Sequence, residues 1–183
     1  MPDPDLEPTI ESNRVYEGRI VNLRVDTVRL HTGRLTTREI AEHGNSVCIV
    51  PIDSDGNVLL VRQYRKPAED ILLEVPAGGM DLGESPEDSA LRELQEEIGH
   101  TADDLRPLSS FWLAPGWCTE FMYSFIATGL RQAKLAADDD ENITVERIPL
   151  GDVPMLIQSG QIKDAKSILS LVMTLNLIDW EKC

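Results

Sequence analysis

The 183-residue chain has 42% hydrophobic residues and carries 32 acidic against 17 basic side chains, for a net charge of −15. That length fills one domain core with an appendage and is short for two full domains. The acidic field repels phosphate backbones and anionic lipid, which argues against nucleic acid and membrane partners, and no apolar run approaches the roughly twenty residues of a bilayer span.

Residues 1–13 are polar and proline-rich without periodicity, which predicts a flexible arm. Prolines and acids stand there in place of the bases and apolar stretch of a secretory signal. The three cysteines, Cys48, Cys118 and Cys183, are far apart and in no metal-ligand spacing, which predicts reduced thiols in a cytoplasmic protein. Residues 14–31 alternate through Val15, Ile20, Val21, Leu23, Val25, Val28 and Leu30 and predict two strands joined near Gly18 or Asn22. Residues 36–41 are a candidate third. With no helix to cover it, this β appendage, residues 14–42, has to pack on the main domain, residues 43–183, or on a second subunit.

Residues 46–52 and 57–63 are β-rich and flank DSDG at 53–56, a hairpin turn signal. Residues 71–75 read as a short strand that PAGG, residues 76–79, breaks into a loop with exposed backbone groups. Farther on, residues 108–113, 121–128 and 143–148 predict strands, 138–141 an acidic loop, and 151–158 and 165–177 helices.

The segment GGMDLGESPEDSALRELQEEIGH, residues 78–100, carries the chemistry. Ser85, Pro86 and Asp88 form a helix start, and Gly99 is the matching stop. A period of about 3.6 residues gathers Leu91, Leu94 and Ile98 on a core face and Glu93, Glu96 and Glu97 on another. Like charges at these spacings repel one another. Hard divalent cations, Mg²⁺ or Mn²⁺, would relieve that and take oxygen ligands, including a loop carbonyl from Ala77. Without histidine or cysteine in the set, zinc is disfavoured. Glu84 and Arg92 carry opposite charge and could pin loop to helix. Bound cations would also solve a second problem, since a small anionic substrate is otherwise repelled by the whole chain.

This segment resembles the Nudix box, G-x5-E-x7-R-E-U-x-E-E-x-G-U with U bulky and apolar. Gly78, Glu84, Arg92, Glu93, Leu94, Glu96, Glu97 and Gly99 match; His100 stands where an apolar residue is usual. The resemblance implies an α/β fold, the α/β/α sandwich with a mixed sheet, and hydrolysis of a nucleoside diphosphate linked to another group. Metal held by Glu93, Glu96 and Glu97 would neutralise the diphosphate and deliver a water to phosphorus.

Flanking residues extend the likeness over roughly residues 14–177. VRQYR at 61–65, EVPAG at 74–78 and APGWCTE at 114–120 resemble the ADP-ribose pyrophosphatase branch, with Pro115 at its marker position. That branch implies a glutamate after the box as base or metal ligand, for which Glu141 is chosen, with Asp138, Asp139 and Asp140 open alternatives. An arginine fork grips phosphate, which makes Arg65 the candidate for a diphosphate or ribose contact, with Arg62 on the other side of the strand the alternative; Glu74 at the mouth of the box is a further substrate candidate, Glu120 a candidate for the distal ribose or a metal, and Tyr16 for the aromatic slot that adenine needs. The branch's amino-terminal strands commonly reach across a homodimer. The expected activity is Mg²⁺-dependent hydrolysis of ADP-ribose or an ADP-sugar to AMP and a sugar phosphate. Alternatives are a diphosphatase for FAD, NADH, GDP-mannose or a dinucleoside polyphosphate, or a Nudix module that senses a nucleotide without cleaving it.

Overall fold

The computed structural model describes residues 6–135 and 142–180. These divide into two compact units, residues 6–44 with 112–121, and the rest of the described chain from residue 45 on.

The first unit is an antiparallel sheet of β1 (Thr9–Glu17), β2 (Asn22–Arg29) and β3 (Leu35–Glu42), in that order. The expected break falls at residues 18–21, but β1 begins at Thr9, so residues 9–13 belong to a strand and not to the expected arm. Their backbone groups pair with β2 in the register Ser12↔Asp26, and Ser12 Oγ donates to Asp26 Oδ1 at 2.6 Å. Residues 112–121 join this unit. Ala41 N–H donates to Trp117 O at 2.8 Å and Thr119 N–H to Ala41 O at 3.0 Å.

The second unit holds a mixed sheet in the order β7-β4-β9-β8 and an antiparallel sheet in the order β10-β5-β6. The first is built from β4 (Ser46–Pro51), β7 (Ala77–Gly79), β8 (His100–Trp112) and β9 (Phe121–Gln132). The second is built from β5 (Asn57–Arg65), β6 (Asp70–Glu74) and β10 (Ile143–Pro149). Helix α1 (Pro86–Glu97) packs on β4 and β7, and α3 (Ala165–Trp180) packs on β4. Strand β4 is therefore covered on both faces, which is why SVCIVP is buried throughout. Val47 and Ile49 join Ala90, Leu94 and Phe125 in the core with α1. The alternate residue Cys48 lies against Ser170 of α3, Sγ to Oγ 3.4 Å. This is the expected α/β/α sandwich. A 3₁₀ turn, Leu150–Asp152, leads into α2 (Val153–Gln158).

Two local expectations are corrected. The DSDG turn closes, with Gly56 N–H donating to Asp53 O at 3.1 Å and a positive φ at Gly56. Yet β4 and β5 share only the bridge Ile52↔Val58 and part into different sheets. Both edges of β4 are taken by β7 and β9, and both edges of β5 by β10 and β6, so no edge is left for a hairpin. The PAGG loop is the other correction. Residues 77–79 form β7, antiparallel to β4 in the register Val47↔Gly78, while Ala77 N–H and Gly79 O turn to side chains of α1.

Candidate active site

Helix α1 begins as its sequence requires. Asp88 N–H donates to Ser85 Oγ at 3.1 Å, Pro86 occupies the first turn, and Gly99 takes a φ of 70° after the last turn. His100, the departure from the box pattern, opens β8 with Nδ1 at 2.7 Å from Ile98 O. It lies past the end of the helix.

The stripe is positioned by the glycine strand. Glu93 and Glu97 are each only 7% exposed. A Cβ on residue 78 would lie 2.0 Å from Glu93 Oε1, so the carboxylate fits only because Gly78 has none. Ala77 N–H donates to Glu97 Oε2 at 3.0 Å. β7 thus holds one carboxylate by a hydrogen bond and the other by close packing.

Arg92 answers much of the repulsion along this face. Its Nη1 donates to Glu93 Oε1 at 2.7 Å and to Glu96 Oε2 at 2.8 Å. The expected pair with Glu84 is also present, through Nε to Oε1 at 3.0 Å and Nη2 to Oε2 at 3.1 Å, and Nη2 reaches Gly79 O at 2.8 Å. One guanidinium therefore ties the loop, the strand and two acids of the stripe together. Its hydrogen bond holds the Glu84 carboxyl below the ordinary carboxylate range.

Next to this face lies a charged cluster. Arg65 forks onto Glu74, Nε to Oε1 at 3.0 Å and Nη2 to Oε2 at 2.9 Å. Lys166 Nζ also donates to Glu74, and to Asp164 Oδ2 at 2.9 Å. Glu74 is 1% exposed, its carboxylate inside between two cations. The Arg65 fork is likewise engaged by Glu74 rather than open for a phosphate, although 36% of the side chain remains exposed. Arg62 pairs with Glu146 across β5 and β10, with Nε to Oε1 at 2.5 Å.

Tyr16, Pro115 and Glu120 belong to the first unit. Tyr16 is exposed on β1, Pro115 lines a cavity of about 410 Å³ with Trp112 and Trp117, and Glu120 Oε1 lies 3.8 Å from His43 Nδ1. Glu141, with Asp138, Asp139 and Asp140, lies outside the described residues.

Sequence reasoning missed Asp164, Lys166 and Ser167. Asp164 accepts from Ser167 N–H at 3.0 Å as a helix cap, and an Asp three residues before a Ser ahead of an apolar run is a legible start signal. A lysine in the first turn, against the positive end of the helix dipole, was the hint that it is held by something else.

The residues fit a hard divalent cation. Every side-chain donor on the stripe is a carboxylate oxygen, and Glu93 is packed on a backbone too close to admit a side chain. Among the described residues no three His, Cys, Asp or Glu side chains already converge as a cage; Arg92 lies between Glu93 and Glu96.

The NUDIX domain family matches residues 42–171, and the nucleoside diphosphate sugar hydrolase N-terminal domain matches residues 7–40. An ADP-ribose pyrophosphatase of Bacillus subtilis is 35% identical over 167 residues, covering 90% of each chain. A methanol dehydrogenase activator of Bacillus methanolicus is equally similar, at 35% over 167 residues and 90% of each. A crystal structure of an ADP compounds hydrolase superposes with a TM-score of 0.88 at 25% identity, covering 96% of this chain and 95% of that one. Its matched box, its fold and these relatives agree: the chain belongs to the NUDIX family of hydrolases, which generally use divalent metal ions.

Proposed function

We propose that this hydrolase cleaves the diphosphate of ADP-ribose or a related ADP-sugar to AMP and a sugar phosphate, with Mg²⁺, or Mn²⁺ in its place. The observation that carries the reading is the acid stripe of α1 seated on Ala77 and Gly78, in a chain whose relatives include an ADP-ribose pyrophosphatase. Glu93, Glu96 and Glu97, with the Ala77 carbonyl, would hold the metal. When bound, divalent cations neutralise diphosphate charge and make water a better nucleophile.

The chain's own residues do the rest. Arg92 and Glu84 lock the loop to α1 and keep Glu93 and Glu96 in place. Ala77 N–H orients Glu97. Arg65, partly exposed beside Glu97, supplies positive charge toward a phosphate, and Arg62 is a weaker candidate because, three residues earlier on β5, it belongs to the opposite face of the strand. Glu141 is assigned as the base. Tyr16, Pro115 and Glu120 are assigned to the nucleoside and distal ribose.

We also place the protein in the cytoplasm as a homodimer. Every residue of β1 is exposed in the single chain, Ile10, Val15 and Tyr16 among them, which suits a surface that a second copy covers. Cys48 and Cys118 are free thiols, in keeping with a reducing compartment.

Product analysis tests the substrate. Purified protein with MgCl₂ and ADP-ribose should yield AMP and ribose 5-phosphate, faster than it cleaves FAD, NADH, GDP-mannose or a dinucleoside polyphosphate. Tight binding of ADP-ribose without cleavage would replace this reading with a nucleotide sensor.

A further inference from the structure

Four charged side chains meet inside the second unit. Arg65 ends β5, Glu74 ends β6, Asp164 caps α3, and Lys166 lies in the first turn of that helix. Lys166 is 8% exposed. Buried ion pairs contribute little stability relative to apolar residues of the same volume, and a lysine at this end of a helix opposes its dipole. Stability is therefore a poor account of why the cluster is there.

Its contacts lead to the acid stripe in three residues. The Glu74 carboxylate is held by Arg65 and Lys166. Val75 N–H donates to Ser167 Oγ at 2.9 Å, and Pro76 O accepts from Ile49 N–H at 2.9 Å. Ala77 N–H then donates to Glu97 Oε2. The fixed φ of Pro76 leaves this path little freedom to absorb a displacement. Two of its fixed points, at Glu74 and Val75, come from the first turn of α3.

We propose that Lys166 is a positioning residue for the metal-binding face: by gripping Glu74 with Arg65, it fixes the strand end whose backbone orients Glu97. Without it, one cation faces the two anions Glu74 and Asp164, and the strand end loses its tie to α3. The proposal rests on the metal-dependent reading of the α1 face, and its test separates the two.

Mn²⁺ affinity, read by electron paramagnetic resonance of the free ion, is measured for wild type, Lys166→Met and Lys166→Arg, together with kcat and KM for ADP-ribose. Lys166→Met should weaken Mn²⁺ binding and lower kcat by about tenfold each, with KM changed less than about threefold, and Lys166→Arg should recover most of both. Wild-type Mn²⁺ affinity and kcat in Lys166→Met, whatever its thermal midpoint, would overturn the proposal and leave the cluster a merely structural one. If Lys166→Met does not fold, Ser167→Ala decides, because it keeps all four charges while removing the Val75 acceptor and, with it, the hydroxyl's bond to Asp164: a loss of about threefold in Mn²⁺ affinity supports positioning, and unchanged affinity overturns it. If wild type binds Mn²⁺ but leaves ADP-ribose intact, the substrate reading fails while the Mn²⁺ measurements still decide the role of Lys166.

Discussion

Gly78→Ala separates the catalytic demands of this site from its structural ones. The new Cβ would lie 2.0 Å from Glu93 Oε1, 2.2 Å from Cδ and 2.4 Å from Oε2, where real Cβ contacts are essentially never under 3.0 Å. The carboxylate must therefore move by about 1 Å or more. What it strikes is the far end of a flexible side chain, and Gly78 does not need a positive φ, so the backbone can stay. Forcing Glu93 off its rotamer costs about 0.5–1.5 kcal/mol, and the stiffer unfolded chain returns about 0.4–1 kcal/mol. The net is under about 1 kcal/mol, or no more than about 2–4 °C in Tm for a chain of this size. A catalytic group displaced by about 1 Å can cost about a hundredfold in rate, close to 2.7 kcal/mol of barrier by the usual tenfold per 1.36 kcal/mol, roughly. Catalysis should thus fail while folding survives. Scanning calorimetry and Mg²⁺-dependent turnover of ADP-ribose on the same sample test this; a turnover number within about threefold of wild type would refute the reasoning.

Glu97→Gln should fold with a Tm at or slightly above wild type, since it relieves repulsion on α1, and lose about a hundredfold or more in turnover; turnover equal to wild type would remove Glu97 from the metal set. Stability should also depend on acid. Burial pushes the Glu74 carboxyl up, but the Arg65 fork and Lys166 outweigh it and the net shift is down; Asp164 is the same case, with Lys166 and Ser167 outweighing burial. Each binds fewer protons folded than unfolded, so its contribution is complete above the ordinary carboxylate range near about pH 4 and is lost as pH falls through the lowered folded values. Thermal melts should therefore show a Tm that drops from about pH 5 toward about pH 3, and a flat profile would contradict the sign. Light scattering at micromolar concentration should return twice the 20.4 kDa chain mass; a monomer would remove the dimer and the role assigned to exposed β1.

Much of the site was legible because its rules are local. The Ser85 cap, the Gly99 stop, the acid stripe and the Glu84–Arg92 pair follow from the helical period and from residues eight or fewer apart. The bridge from Arg92 to Glu93 and Glu96 is local too, one and four residues along the helix; its reach to Gly79 O, 13 residues away, is set only once the loop is folded beside it.

The alternation in residues 14–31 gave the amino-terminal strands, and β-branched runs gave β4 and β5. Which edges pair was a different matter: β4 and β5 look like a hairpin until β7, β9, β6 and β10 claim their edges.

By itself, then, the sequence determined a capped acidic helix behind a glycine-rich segment and the family that goes with it, because those depend on spacing along one turn after another, while the pairing of that segment as β7 came from the fold. Tertiary structure alone decided that Glu74 is buried, that Arg65 is engaged by it, and that Lys166, 92 residues from Glu74, completes the cluster. A buried charge is tolerated only where opposite charges converge on it, and convergence over that separation is a property of the folded chain.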